Sequence, residues 1–248
     1  MRTFDLLGTP LLATTYDELI GHVQDLARRD GTQAIDFTNT QIVTLRRQDA
    51  HFREITSRFD CFVPDGMPLV WCLNRRGAGL RDRVYGPTFM RRCLEGSLAP
   101  WRHYLLGGTE ECGRRLRSRF PSVNFVGSFH GPCDAAGVLA AAAEEEVIDE
   151  INRTSPDFIW VGLGAPKQYE WIHRHRARIH RGVLLAVGFA FDVNAGLKQD
   201  APGWMQRAGL TWLFRAGSEP DRLLTRYLRF NTLFLYYLAK DALTPPRA

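Results

Sequence analysis

Phe158-Ile159-Trp160-Val161-Gly162, followed by Leu163-Gly164-Ala165-Pro166-Lys167-Gln168, decides how the chain is read. Four bulky apolar residues in a row suit a strand buried on both faces, as in a parallel sheet. Glycines then turn the chain. Pro166 fits the first turn of a helix, where its missing N–H costs nothing. A helical pattern follows over Tyr169–His180. A strand, a glycine turn and a helix make up half of a βαβ unit.

The same alternation runs outward in both directions. Strands are expected at Ala34–Thr38, Cys61–Val63, His103–Leu106, Asn124–Ser128 and Leu184–Phe189. Helices are expected at Tyr16–Arg29, Ile42–Arg58, Pro68–Asn74, Thr88–Glu95, Glu110–Arg119 and Leu139–Asn152. Such alternation predicts an α/β fold, a mostly parallel sheet flanked by helices. The pattern changes after Gly196, where strand signals stop and Trp, Tyr and Phe mix with Arg. The expected organisation is an α/β catalytic domain over residues 1–198 and a helical, basic and aromatic appendage over 199–248.

A chain of 248 residues can bury a real core as one α/β domain. The net charge of +5 is mild and points only to anionic partners in general. Five cysteines without a C-x-x-C pair argue against a disulfide framework or zinc knuckle and fit a reducing cytoplasm. The N-terminus carries no long apolar stretch, so no signal peptide is expected. No run reaches the roughly 20 apolar residues of a membrane span.

Ligands of open α/β sheets bind beyond the carboxyl ends of the strands. Those ends carry Thr38-Asn39-Thr40, Pro64-Asp65-Gly66, Gly107-Gly108-Thr109, Gly162 to Gln168 and Phe191-Asp192. Gly107-Gly108 and Gly164 are either tight βα turns or backbone that approaches a phosphate at a helix N-terminus. Neither matches G-x-G-x-x-G or a P-loop. Asp65 is either a helix cap or a general base at the mouth of the sheet. Arg83 is either a surface charge or an anion clamp. His173, His175 and His180 read as a solvated helix face, because no metal-site spacing accompanies them. Asp-x-Asp occurs nowhere, so no metal site and no cofactor are expected, and arginines are the groups left to balance a diphosphate. Arg222, Arg226 and Arg229 fall on one helix face. They form either a solvated stripe or an interfacial helix that meets lipid phosphates.

Taken in order, these segments resemble the WecG/TagA/CpsF family of bacterial glycosyltransferases. The resemblance runs from about Thr38 to Tyr227. It rests on Thr38-Asn39, Val63-Pro64-Asp65-Gly66, Arg83-Val84-Tyr85-Gly86, Leu105-Leu106-Gly107-Gly108, Val161 to Gln168, Gly188 to Asp192, Trp212-Leu213-Phe214-Arg215 and Glu219-Pro220-Asp221-Arg222. It implies a Rossmann-like domain and a metal-independent, inverting transfer from a nucleotide diphosphate sugar, UDP-linked by expectation. The acceptor implied is a saccharide on polyprenyl diphosphate, for a surface polysaccharide or exopolysaccharide. Asp65 becomes the base. Arg83, Gln168, Arg215 and Arg222 join it in catalysis. Thr38, Asn39, Gly107, Gly108, Gly164, Lys167, Asp192 and Arg226 become substrate-binding residues. The resemblance also implies a protein held peripherally at the inner face of the cytoplasmic membrane, without a nucleic-acid partner. The tail's aromatics could also serve a homo-oligomer interface.

The chain departs from the family pattern at Tyr169, at Asp200-Ala201-Pro202 and at Gly86-Pro87-Thr88. These departures direct the expectation to a hexose-type donor, with N-acetylmannosamine or its uronic acid as the alternative. Two rival classes are a nucleotide-dependent oxidoreductase, opposed by the missing fingerprint, and a non-catalytic membrane- or nucleic-acid-binding module using the basic tail.

Overall fold

The computed structural model describes residues 1–130 and 141–243. Cys133, and Leu139 at the start of one expected helix, lie outside the described residues. Eight strands form one sheet: β1 (Arg2–Leu6), β2 (Thr9–Ala13), β3 (Gly31–Thr38), β4 (Cys61–Pro64), β5 (His103–Gly107), β6 (Phe125–Phe129), β7 (Phe158–Gly162) and β8 (Arg181–Ala186). Their order is β1-β2-β4-β3-β8-β7-β5-β6. Among the described residues only the β1–β2 pair is antiparallel.

Helices α1 (Tyr16–Ala27), α5 (Gly86–Glu95), α6 (Glu110–Arg119) and α9 (Ala190–Asn194) cover one face of the sheet. Helices α2 (Thr40–Gln48), α3 (Ala50–Thr56), α4 (Met67–Asn74), α7 (Ala141–Thr154) and α8 (Lys167–His175) cover the other. Strand β7 shows why its run is apolar throughout. Phe158 and Trp160 enter the first core, and Ile159 and Val161 enter the second. Three more helices close the chain: α10 (Gly203–Arg207), α11 (Thr211–Ser218) and α12 (Pro220–Leu243). Helix α12 lies along α2, tied by Thr40 to Asn231 (2.8 Å), Gln48 to Tyr237 (3.1 Å) and Arg47 to Asp241 (2.9 Å). Its Phe230 and Phe234 are buried. Among the described residues no helix is long and apolar enough to cross a membrane.

Three local expectations differ from the fold. The N-terminal hairpin was not expected from the sequence. It turns through Leu7 and Gly8, both at positive φ (55° and 81°) as a two-residue hairpin turn requires. The expected helix Ile42–Arg58 is two helices. Asp49 ends α2 and caps α3, accepting from the Phe52 N–H at 3.0 Å. His175 is not on a solvated face: it is 5% exposed and lies against Trp171 and Glu144.

Connections diverge between β5 and β7, since β5 leads to β6 on one side and β7 to β8 on the other. The glycine turns sit there. Asp65 sits at the β3–β4 end of the same edge.

Candidate active site

Strand β4 ends at Pro64, and Asp65 follows it. The Asp65 N–H donates to the Thr38 carbonyl (2.8 Å), which extends the β3–β4 ladder by one bond and fixes the residue at the sheet's lip. Its Oδ1 accepts from the Gly86 N–H at 3.0 Å. Gly86 is the first residue of α5, so the carboxylate meets the positive end of that helix. Arg83 is 6% exposed and donates to the Asp65 carbonyl (3.1 Å) and the Thr211 hydroxyl (3.0 Å). Its guanidinium lies 4.0 Å from the centre of the Tyr85 ring. One arginine thus joins the loop of β4 to α11.

Burial pushes the Asp65 carboxyl up to about 6. Arg83, the Gly86 N–H and Arg215 pull it down, while Asp200 adds to the rise. Such a group is mostly ionised at neutral pH and a stronger base than a free aspartate.

Asp65 opens on a cavity of about 430 Å³ between α4 and the pair α11–α12. Its polar end is lined by Asn39, Asp65, Arg83, Tyr85, Thr211 and Arg215. Asn39 caps α2 with Oδ1, accepting from the Gln41 and Ile42 N–H groups (3.0 and 3.3 Å), so its amide nitrogen is what remains for a ligand. Arg215 stacks its guanidinium 3.7 Å from the centre of the Phe189 ring. Its Nε is buried with no hydrogen-bond partner, as is that of Arg226. Burial, then Arg215 and Arg222, depress the Arg226 guanidinium despite the neighbouring Tyr227. Two guanidinium groups, Arg83 and Arg215, therefore act on one carboxylate, and Arg226 lies close enough to Arg215 to feel its charge.

Other expected residues stand further back. Thr38 is buried, and its hydroxyl donates to Asp36 Oδ2 at 2.6 Å. Gln168 is 4% exposed at the start of α8, with its Oε1 buried and unpartnered. Gly107, Gly108, Gly164 and Lys167 occupy the turns after β5 and β7 and do not line this cavity. Asp192 pairs with Lys198 (3.4 Å), Lys198 with Glu219 (2.7 Å), and Glu219 with Arg222 (3.0 Å). This chain of charges joins α9 to the start of α12 and leaves Arg222 largely exposed.

Sequence reasoning missed Asp36, Tyr85, Thr211 and the α12 residues of the cavity. Asp36 is fully buried and accepts from Tyr169 (2.7 Å) as well as Thr38; burial pushes it up to about 6. A carboxylate inside an apolar strand was the signal for it. For α12 the signal was spacing: Tyr227, Phe230, Asn231, Phe234, Leu235 and Leu238 fall on one stripe.

The model of the glycosyl transferase WecG/TagA/CpsF family matches residues 4–248. The chain belongs to that family. It is therefore a glycosyltransferase, and the family match extends through the three closing helices. The N-acetylglucosaminyldiphosphoundecaprenol N-acetyl-beta-D-mannosaminyltransferase of Staphylococcus aureus (strain MRSA252) is 29% identical over 245 residues, covering 95% of this chain and 92% of its own. The protein of the same name from strain MW2 is 28% identical with the same coverage.

Proposed function

We propose that the chain transfers N-acetylmannosamine from UDP to a saccharide carried on polyprenyl diphosphate, with inversion and without a metal ion. The observation that carries this reading is Asp65 at the mouth of the cavity, raised to about 6 by burial and flanked by Arg83 and Arg215. Asp65 accepts the proton of the acceptor hydroxyl. The hydroxyl oxygen attacks the anomeric carbon as the bond from that carbon to the diphosphate oxygen breaks. Arg215, Arg226 and Arg222 balance the charge that grows on the departing nucleoside diphosphate. Among the described residues Asp65 is the one acidic residue lining the cavity, which favours a single displacement over one with a second carboxylate as nucleophile.

The donor is the alternative of the sequence reading, now preferred over a hexose. The staphylococcal relatives' names carry this sugar. Two of the departures that pointed elsewhere belong to the scaffold. Tyr169 donates to buried Asp36, and Asp200 accepts from the Tyr85 hydroxyl at 2.8 Å; neither lines the cavity. The protein works at the inner face of the cytoplasmic membrane, where Leu224 and Leu228 of α12, 41% and 53% exposed, enter the headgroup boundary.

The test is transfer from a panel of UDP-sugars to N-acetylglucosamine on a lipid diphosphate, with and without EDTA. Transfer of N-acetylmannosamine that survives the chelator is the expected result. Preference for UDP-glucose would restore the hexose reading, and loss of activity in EDTA would reject the arginine-only account.

A further inference from the structure

Arg75, just after α4, and Asn231, on α12, also line the cavity, whose polar groups otherwise gather at the Asp65 end. Beyond it, Met67 and Trp71 on α4 face Phe230, Phe234, Leu235 and Leu238 on α12. The α12 positions recur at helical spacing, so they form one stripe. From Phe230 to Leu238 that stripe is about 12 Å long at ~1.5 Å per residue. Two apolar helix faces that were simply packing partners would close on each other. Here they stand apart around open volume, and large side chains stay in water: Trp71 is 46% exposed and Leu235 is 64% exposed.

We propose that this groove holds the first isoprene units of the acceptor's polyprenyl tail. The inference rests on the functional reading above and adds the place where the lipid lies. Continuity with the polar end selects the occupant. A ligand lying along the groove must put its polar head beside Asp65, Arg83 and Arg215. The acceptor has that order: sugar hydroxyl, diphosphate, then hydrocarbon. A membrane phospholipid lying the same way would put its own head group in the reacting position and block it. Both helices pass near the sheet's carboxyl edge, α4 at its start and α12 midway along its length. Helix α4 starts two residues after Asp65, and α12 is tied at Asn231 to Thr40, the first residue of α2. The groove therefore descends from the reacting centre along the protein's flank, and the tail lies along α4 as it leaves the site.

The experiment compares two soluble acceptors with the same N-acetylglucosaminyl diphosphate head, one carrying a farnesyl tail and one a butyl tail, below their micelle-forming concentrations and without membranes. Leu235→Glu puts a charge in the groove at a position exposed enough to spare the fold. Thr232→Glu makes the same charge change on an exposed position of α12 outside the cavity. The native protein is expected to show a KM at least tenfold lower for the farnesyl acceptor. Leu235→Glu should bring the farnesyl KM up to the butyl KM measured with the same variant, and Thr232→Glu should keep the advantage. Equal KM values for the two tails in the native protein would overturn the groove, as would equal losses in the two variants or an unchanged Leu235→Glu. No transfer to either acceptor would overturn the functional reading itself, a result distinct from all of these.

Discussion

The two halves of the sheet's carboxyl edge solve different problems. At the β3–β4 end, polar side chains converge on open space: Asp65, Asn39, Arg83 and Arg215 face the cavity. At the β5–β7 end, backbone converges on backbone. A Cβ on Gly107 would stand 2.9 Å from the Gly162 carbonyl carbon, and one on Gly162 would stand 2.8 Å from the Phe191 ring. Those two glycines are required by packing before any ligand is considered. The motifs of the two halves look alike in sequence, since each is a small polar or glycine turn after a buried strand. Only the space in front of them tells chemistry from packing.

The largest effect that would break this contrast belongs to Asp65. Asp65→Asn keeps the shape and the Gly86 N–H bond but cannot take a proton. Transfer should fall on the order of 10²- to 10⁴-fold with an unchanged circular dichroism spectrum. The native enzyme's kcat/KM should decline as pH falls through about 6, because the protonated carboxyl cannot accept the acceptor's proton. An acid limb near 4 would mean that burial does not govern this group.

Arg215→Ala tests the same half from the appendage side. Losing one charge-stabilising group at a leaving diphosphate should cost about 10²- to 10³-fold in kcat. It also removes a cation that favours the ionised carboxylate, so the acid limb should move to higher pH. A loss of kcat without that shift would separate Arg215 from Asp65.

Legibility followed the same division. The apolar runs of β5, β7 and β8 reveal strands because both faces of each are buried, and Asp65 could be singled out because it ends such a run. The hairpin β1–β2 escaped because its turn begins with Leu7, a residue that carries no turn signal, held at φ 55°. Asp49 hid a helix break inside a helical pattern, since a cap and a surface aspartate look the same in sequence. The aromatic lining from α12 was invisible as a site. Its residues reach Asp65 only because α12 docks along α2, through pairs such as Thr40 with Asn231 that are 191 positions apart.

On the packing half, Gly107→Ala should lower stability by roughly 2–4 kcal/mol in chemical denaturation, combining overpacking with a φ of 99°. Activity at a temperature where the variant stays folded should change little. A folded variant that has lost donor affinity would show that the turn also meets the substrate.

Gly164→Ala should have the smallest effect, and it sharpens the comparison most. Gly164 lies in the turn after β7, yet a Cβ there would meet nothing within 4 Å. Its φ of 77° is the one structural demand on the residue, and alanine at such an angle costs about 1 kcal/mol. Packing therefore explains Gly107 and Gly162 but leaves the space above Gly164 open. Buried Gln168 stands four residues on, with its Oε1 unpartnered. If a donor phosphate approaches the backbone here, a methyl group would raise the donor KM several-fold while the melting temperature falls by only a few degrees. If the donor KM stays at the native value, the whole β5–β7 half is scaffold, and the diphosphate must be held entirely by the guanidinium groups around Asp65.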